Sequence, residues 1–390
     1  MSDAAHEVPA GPQAPSEHQH QFYLWLDSFR AIAAIMVMVS HTRDIVFQDY
    51  SGNLASMPFY LATSLGHTGV VLFFVMSGFW ISMSVESRIA GRDFWASYLT
   101  ARLSRLWVVL VPALLLGGTL DVIGRFALDL PAYRNAIGSH SLNFDMAAQL
   151  TLPIFFGNVG FLQTIVTPVF GSNGPLWSLA AEFWYYLWFP VLLILIQRKR
   201  SIPWLLLAAC VAIAALQASL ILGFFVWLLG VGARKLPFAG LASLNGNRAI
   251  LVCTTLLLLG ALAASGAFKQ AVPDLVIGVL FAAQIVALRI ARLPYPRLLT
   301  GLAAYGRQSS FSLYAIHFPL VLLLGGLADG EHRFALGLPG FLVFGAIVAT
   351  CLVAAWIFST LTERHTDAVR AFAGRQLGAL RWPTRPAPEA

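Results

Sequence analysis

Residues 202–233, IPWLLLAACVAIAALQASLILGFFVWLLGVGA, run for 32 positions without a charged side chain. A bilayer takes such a run at about 20 residues per crossing helix. One helix of this length would extend ~48 Å at 1.5 Å per residue, too far for a ~30 Å hydrocarbon core. Basic clusters flank the run, Arg198–Lys199–Arg200 before it and Arg234–Lys235 after it. Two helices turning near Gln217–Ser219 therefore fit better than one. The rest of the chain agrees. Hydrophobic residues make up 58% of its 390 positions and charged residues 11%, against about a quarter in soluble proteins. So few charges cannot coat a soluble surface. The apolar runs are solid rather than alternating, which selects helices over a β-barrel.

The expected fold is all-α: a polytopic membrane protein with its transmembrane helices in one bundle. Ten spans are expected, at 23–46, 67–85, 104–123, 176–197, 202–217, 219–233, 249–266, 273–291, 309–327 and 338–361. Ten crossings put both termini on one side. With that side cytoplasmic, most of the 25 lysines and arginines fall inside, as the positive-inside rule requires. Arg125, Arg134, Lys269 and Arg333 fall outside. Residues 147–166 are apolar enough to suggest another span, but counting them would invert every later loop. They are expected on the outer face. No repeat of 20–50 residues is visible, which weighs against a transporter built on inverted repeats.

The net charge of +7 would suggest nucleic acid in a soluble protein. Here it reads as orientation signal, and no nucleic acid partner is expected. Cys210, Cys253 and Cys351 lie in apolar runs without CxxC spacing, so they are expected as free, buried, small hydrophobes. Residues 1–21 lack the positive region of a signal peptide and read as a disordered tail. Solvated disorder, rather than a metal site, is the reading of His6, His18 and His20 there, and no metal is expected. Residues 22–365 form the membrane domain and 366–390 a basic cytoplasmic tail.

Ionisable groups inside a membrane cost roughly 2.5 kcal/mol or more and are functional candidates by default. The first span, LDSFRAIAAIMVMVSHTRD (26–44), carries Asp27, Arg30 and His41. Asp27 and Arg30 are three apart and share a face. Arg30 and His41 are eleven apart, on one face and ~17 Å apart along the axis. A cation toward one side and a titratable base toward the other suit two substrates arriving from opposite sides. The competing reading is structural: an anchoring ion pair and a histidine that makes one hydrogen bond. The second span holds GVVLFFVMSGFW (69–80), where Ser77 and Gly78 permit close helix packing. Arg102 and Arg105, spaced RxxR, are either a phosphate-binding fork or ordinary inside charge. GSNGPLWSLAAEFWYYLWFP (171–190) places Glu182 at a depth similar to His41, where a carboxylate would orient an imidazole. SFSLYAIHFPLVLL (310–323) carries His317 near mid-membrane, with Pro319 loosening the helix beside it.

These segments resemble the acyltransferase 3 family of membrane acyltransferases, over about residues 24–365. Asp27, Arg30 and His41 are similar to its opening signature, and GVVLFFVMSGF to its second helix. Arg102 and Arg105 stand at its RxxR, GPLWSLAAEFWYY at its WSL-x-x-E segment, and SLYAIHFPL at its S-x-Y-x-x-H segment. Two departures appear. Glu363-Arg364-His365 replaces a common Glu-Arg-Pro. The SGNH hydrolase-like domain that follows in many members is not in this chain, which leaves any second transfer step to a separate periplasmic partner.

The resemblance implies a multi-pass protein of the bacterial plasma membrane that moves an acyl group, acetyl by default, from acyl-CoA to a hydroxyl. The acceptor is a glycan, a lipid-linked saccharide or another molecule at the outer side. No permanently bound cofactor is expected; acyl-CoA is a co-substrate. Arg30, Arg102 and Arg105 would hold that donor, His41 would act as base or acyl carrier, and Glu182 would orient it. Asp27, Ser77, Trp177, Ser178 and His317 would complete the substrate pocket. The rival class is an ion-coupled transporter or exporter of a small polar solute, which the same buried charges would also suit.

Overall fold

Ser16 and Gln19 start the first helix earlier than the apolar pattern indicates. The Ser16 hydroxyl accepts from the Gln19 backbone while the Gln19 side chain accepts from the Ser16 backbone, a reciprocal cap. The computed structural model describes residues 16–379 except 92, 135–137, 143, 198–200, 237–246, 268–271 and 329–331. Helix α1 (Glu17–Val46) thus takes residues 17–21 out of the tail expected to be disordered. Residues 1–15 with His6, the Arg198–Lys199–Arg200 cluster, Lys269 and the end of the basic tail from 380 lie outside the described residues. The start of that tail is helical as well, as given below.

Twelve further α-helices follow among the described residues, and no strand. They are α2 (Met57–Thr63), α3 (Gly66–Glu86), α4 (Phe94–Val122), α5 (Leu152–Val159), α6 (Trp177–Gln197) and α7 (Trp204–Leu216). Next come α8 (Ser219–Lys235), α9 (Asn247–Ala267), α10 (Asp274–Ala291), α11 (Thr300–Ala328), α12 (Leu338–Leu361) and α13 (Thr366–Ala379), the last packed on α4. Eight helical segments are long and apolar enough to cross a membrane, against the ten expected. The shortfall is α7 and α8, bent against each other by 112°. With 13 and 17 residues, each is shorter than a straight crossing needs. Counted as one span they would bring the number to nine.

Contacts at the helix ends decide how that pair runs. Arg234 at the end of α8 pairs with Glu86 at the end of α3. Arg289, near the end of α10, donates to the Ala233 and Arg234 carbonyls. The Tyr295 amide, ahead of α11, donates to Gln21 in the first turns of α1. Tyr98 of α4 donates to the Tyr186 carbonyl of α6, ahead of that helix's end. These groups define a basic half of the bundle. At the turn, Gln217 donates to the Thr164 carbonyl in the segment that leads into α6. The α7–α8 pair therefore leaves the basic half after α6 and returns to it, as a turn near Gln217–Ser219 requires. Helix α12 also ends in this half, where Ser359 bonds Ser309 of α11.

The opposite half is closed by loops. Phe47 and Phe334 bridge, and Arg333 grips Asp49 through two 3.0 Å bonds. That guanidinium holds the Asp49 carboxyl below the usual carboxylate range. Residues 147–166 form no span: α5 has eight residues, and the rest is turn, tied down by Trp107 on the Val159 carbonyl and Gln163 on the Leu176 carbonyl.

Lipid gives helices no hydrophobic reason to associate, so close backbone packing does that work. A Cβ at Gly306 of α11 would overlap the Asp27 carbonyl oxygen of α1. Gly78 of α3 and Gly230 of α8 meet in the same way, against the Trp227 and Val75 carbonyls. Gly230→Leu should therefore cut the yield of monodisperse protein several-fold. Overpacking costs roughly 1–3 kcal/mol where side chains can shift, and here the obstacle is backbone. Normal yield on size exclusion, with an unchanged melting temperature, would show that α3 and α8 can part. Helices α9 and α12 lie at the rim with most of their surface outward. Cys253 on α9 is accordingly exposed rather than buried as expected, while Cys210 and Cys351 are buried; all three are free.

Candidate active site

Five helices, α1, α3, α4, α6 and α11, leave a cavity of about 500 Å³ between them in the basic half. Seven of the ten expected site residues line it: Asp27, Arg30, Ser77, Arg102, Arg105, Ser178 and Glu182. Arg102 and Arg105 are one turn apart on α4 and present the same face. Arg102 donates to Ser84 at 3.0 Å, while Arg105 is exposed at the cavity rim. Arg307 of α11, which sequence reading missed, joins them. Arg30 lies deeper, with its nitrogen 3.8 Å from Asp27, too far for a hydrogen bond. Its donors are available to whatever enters. Four arginines against two carboxylates make this a receptor for a polyanion.

Glu182 does not pair with His41. Its carboxylate accepts from the Ser77 hydroxyl and the Tyr186 hydroxyl, each at 2.6 Å. Trp227 donates in turn to Ser77 at 3.1 Å. The carboxylate is thus fixed in the cavity wall. Counting residues from the edge of the apolar run placed Glu182 at the depth of His41. The lead-in to α6 folds over that edge instead, with Trp184 donating to the Phe161 carbonyl at 3.0 Å. Trp177 lies outside the cavity, edge-on to Phe74 at 6.2 Å.

His41 sits in the opposite half, and its ring stacks on His317 at 5.4 Å. His41 Nδ1 is 3.1 Å from the Ser141 hydroxyl. That hydroxyl donates to Asp44 Oδ2 at 2.6 Å, and the Ser141 amide and Ser139 hydroxyl donate to the same oxygen at 2.9 and 2.7 Å. His317 Nδ1 faces the Leu313 and Tyr314 carbonyls at 3.1 and 2.8 Å, so it carries the proton. The bare Nε2 of His317 is buried without a partner.

Tyr314 separates the two halves of the site. It lines the cavity, and its ring lies 5.9 Å from that of His317 and 5.8 Å from Phe73. Its hydroxyl donates to the Pro175 carbonyl at 2.6 Å and contacts Ser178. Pro319 deprives the Ala315 carbonyl of its helical donor, and Asn173 replaces it with a 2.9 Å bond. Asn173 is positioned by its neighbour Ser172, whose amide and hydroxyl both bond the buried Asp121 at 2.7 Å. Asp121 is a carboxylate inside a span, and the rule applied to Asp27 and Glu182 would have flagged it. Asp44 was legible too, one turn past His41 on the same face. Ser139 and Ser141 come from a loop without periodicity and gave no signal.

An all-helical bundle of long apolar segments around a basic cavity defines a multi-pass membrane protein. The acyltransferase 3 family model, described as an acyltransferase domain, matches residues 23–360, and the chain belongs to that family. It is a membrane acyltransferase. No curated protein and no solved structure matches it.

Proposed function

We propose that the protein transfers an acyl group, acetyl by default, from cytoplasmic acyl-CoA to a hydroxyl at the outer side of a bacterial plasma membrane. The acceptor is a glycan or a lipid-linked saccharide. One observation carries the reading: a cavity with four arginines ends at Tyr314, and the His317–His41 stack lies directly behind it. The positive-inside rule puts the arginine half toward the cytoplasm, where CoA is found. Its phosphates match the guanidinium forks of Arg102, Arg105 and Arg307, and Arg30 grips the donor deeper. The pantetheine arm extends past Tyr314 and brings the thioester to His41.

In this reading His41 Nε2 takes the proton of the acceptor hydroxyl as its oxygen attacks the thioester carbonyl. The carbon–sulfur bond breaks, and the leaving thiolate takes that proton. Glu182, held by Ser77 and Tyr186, shapes the donor cavity rather than the base. Purified protein in lipid nanodiscs should bind acyl-CoA and release CoA thiol when an acceptor glycan is added. Absence of acyl-CoA binding would overturn the proposal. Mass spectrometry of surface glycans with and without the gene identifies the acceptor.

A further inference from the structure

We propose that Asp44 and Ser141 are positioning residues that fix the tautomer of His41 and support its charged form. For its catalytic part the proposal rests on the function above; for its tautomer part it stands alone. Asp44 Oδ2 receives three donors, one of them a backbone amide that can only donate. Three donors on one oxygen describe an ionised carboxylate, which only accepts. Ser141 has one hydroxyl proton and gives it to Asp44. Toward His41 its oxygen must therefore accept, so Nδ1 carries the imidazole proton and Nε2 keeps the free lone pair.

Tethering the loop does not require this arrangement. The Ser139 hydroxyl and the Ser141 amide already bind the loop to Asp44, and neither touches the imidazole. Only the Ser141 hydroxyl bonds both Asp44 and His41. Asp44 is buried and lies one turn from His41 on α1. When Nε2 gains the acceptor's proton, both ring nitrogens carry hydrogen. The carboxylate then faces that positive charge across one hydroxyl, while His317 on the other side offers only a neutral ring contact. The nearby cations face elsewhere: Arg43 lies over the Tyr60 ring, and Arg333 is engaged by Asp49. No bond other than those of the transfer itself is made or broken; the relay decides which nitrogen is free.

The test is ¹⁵N NMR of the full chain labelled at histidine, with the His41 resonances identified by their loss in His41→Ala. The wild type should show the Nδ1–H form at His41, and Ser141→Ala should give a mixture of tautomers. Ser141→Ala should also lower kcat by roughly 10-fold or more, part of the 10²–10⁴ that a general base supplies, with KM for acyl-CoA unchanged. Ser141→Thr keeps the hydroxyl and should restore both readouts. Ser139→Ala should cost several-fold less than Ser141→Ala. An Nε2–H form in the wild type, or equal losses from Ser139→Ala and Ser141→Ala, would overturn the relay. A wild type with the expected tautomer but no acyl transfer would overturn the function and leave the relay standing.

Discussion

His41→Ala should abolish acyl transfer while the protein remains folded and membrane-inserted. Loss of a general base alone costs roughly 10²–10⁴-fold, and loss of a covalent acyl carrier costs at least as much. The fold should survive because His41 is not a keystone of the bundle. Its contacts are a ring stack on His317, an edge contact with Phe318 and one hydrogen bond to a loop serine. The glycine crossings that hold α1 against its neighbours lie elsewhere. Radiolabelled acyl transfer together with size exclusion reads both quantities, and near-normal transfer would remove His41 from the chemistry. The same protein given acyl-CoA without acceptor separates two routes. An acyl group on His41 in the mass spectrum means a covalent carrier, and an unmodified histidine means direct transfer.

Replacing Arg102 and Arg105 together by alanine should raise the Kd for acyl-CoA by roughly 10- to 100-fold. Charge-assisted hydrogen bonds contribute ~1.5–3 kcal/mol each, and 1.4 kcal/mol is a factor of ten. The lower end is expected because Arg30 and Arg307 remain in the cavity. Salt screens these contacts, so the contrast with wild type should be greatest at low ionic strength and shrink as salt is added. Lysine at both positions should recover the salt dependence but only part of the affinity, because an ammonium lacks the fork. Titration calorimetry in detergent measures all three proteins. Unchanged affinity in the double alanine variant would reduce the pair to an orientation signal.

How far sequence reading reached depended on whether the pattern was periodic. The spans of α1, α3, α4, α6 and α11 follow from apolar length, and the seven cavity residues came together because each lies on a helix whose depth can be counted. Counting failed where the chain stops being regular. Glu182 was placed beside His41 because nothing in GSNGPL announces that this lead-in folds over the helix it starts. The partners of His41 were missed for the same reason, since Ser139 and Ser141 reach Asp44 from an aperiodic loop. The 112° bend between α7 and α8 has the opposite origin. Composition fixed the turn at Gln217–Ser219, but uncharged side chains carry no information about the angle.

Tyr314 has a cost attached to its position. An enzyme that draws one reactant from inside the cell and another from outside is in danger of being a hole. A passage open from end to end would let protons run down their gradient through every copy of the protein, at the expense of the cell's energy supply. A phenol bonded to the Pro175 carbonyl between the arginines and the histidines lets the bilayer stay sealed while the catalyst rests.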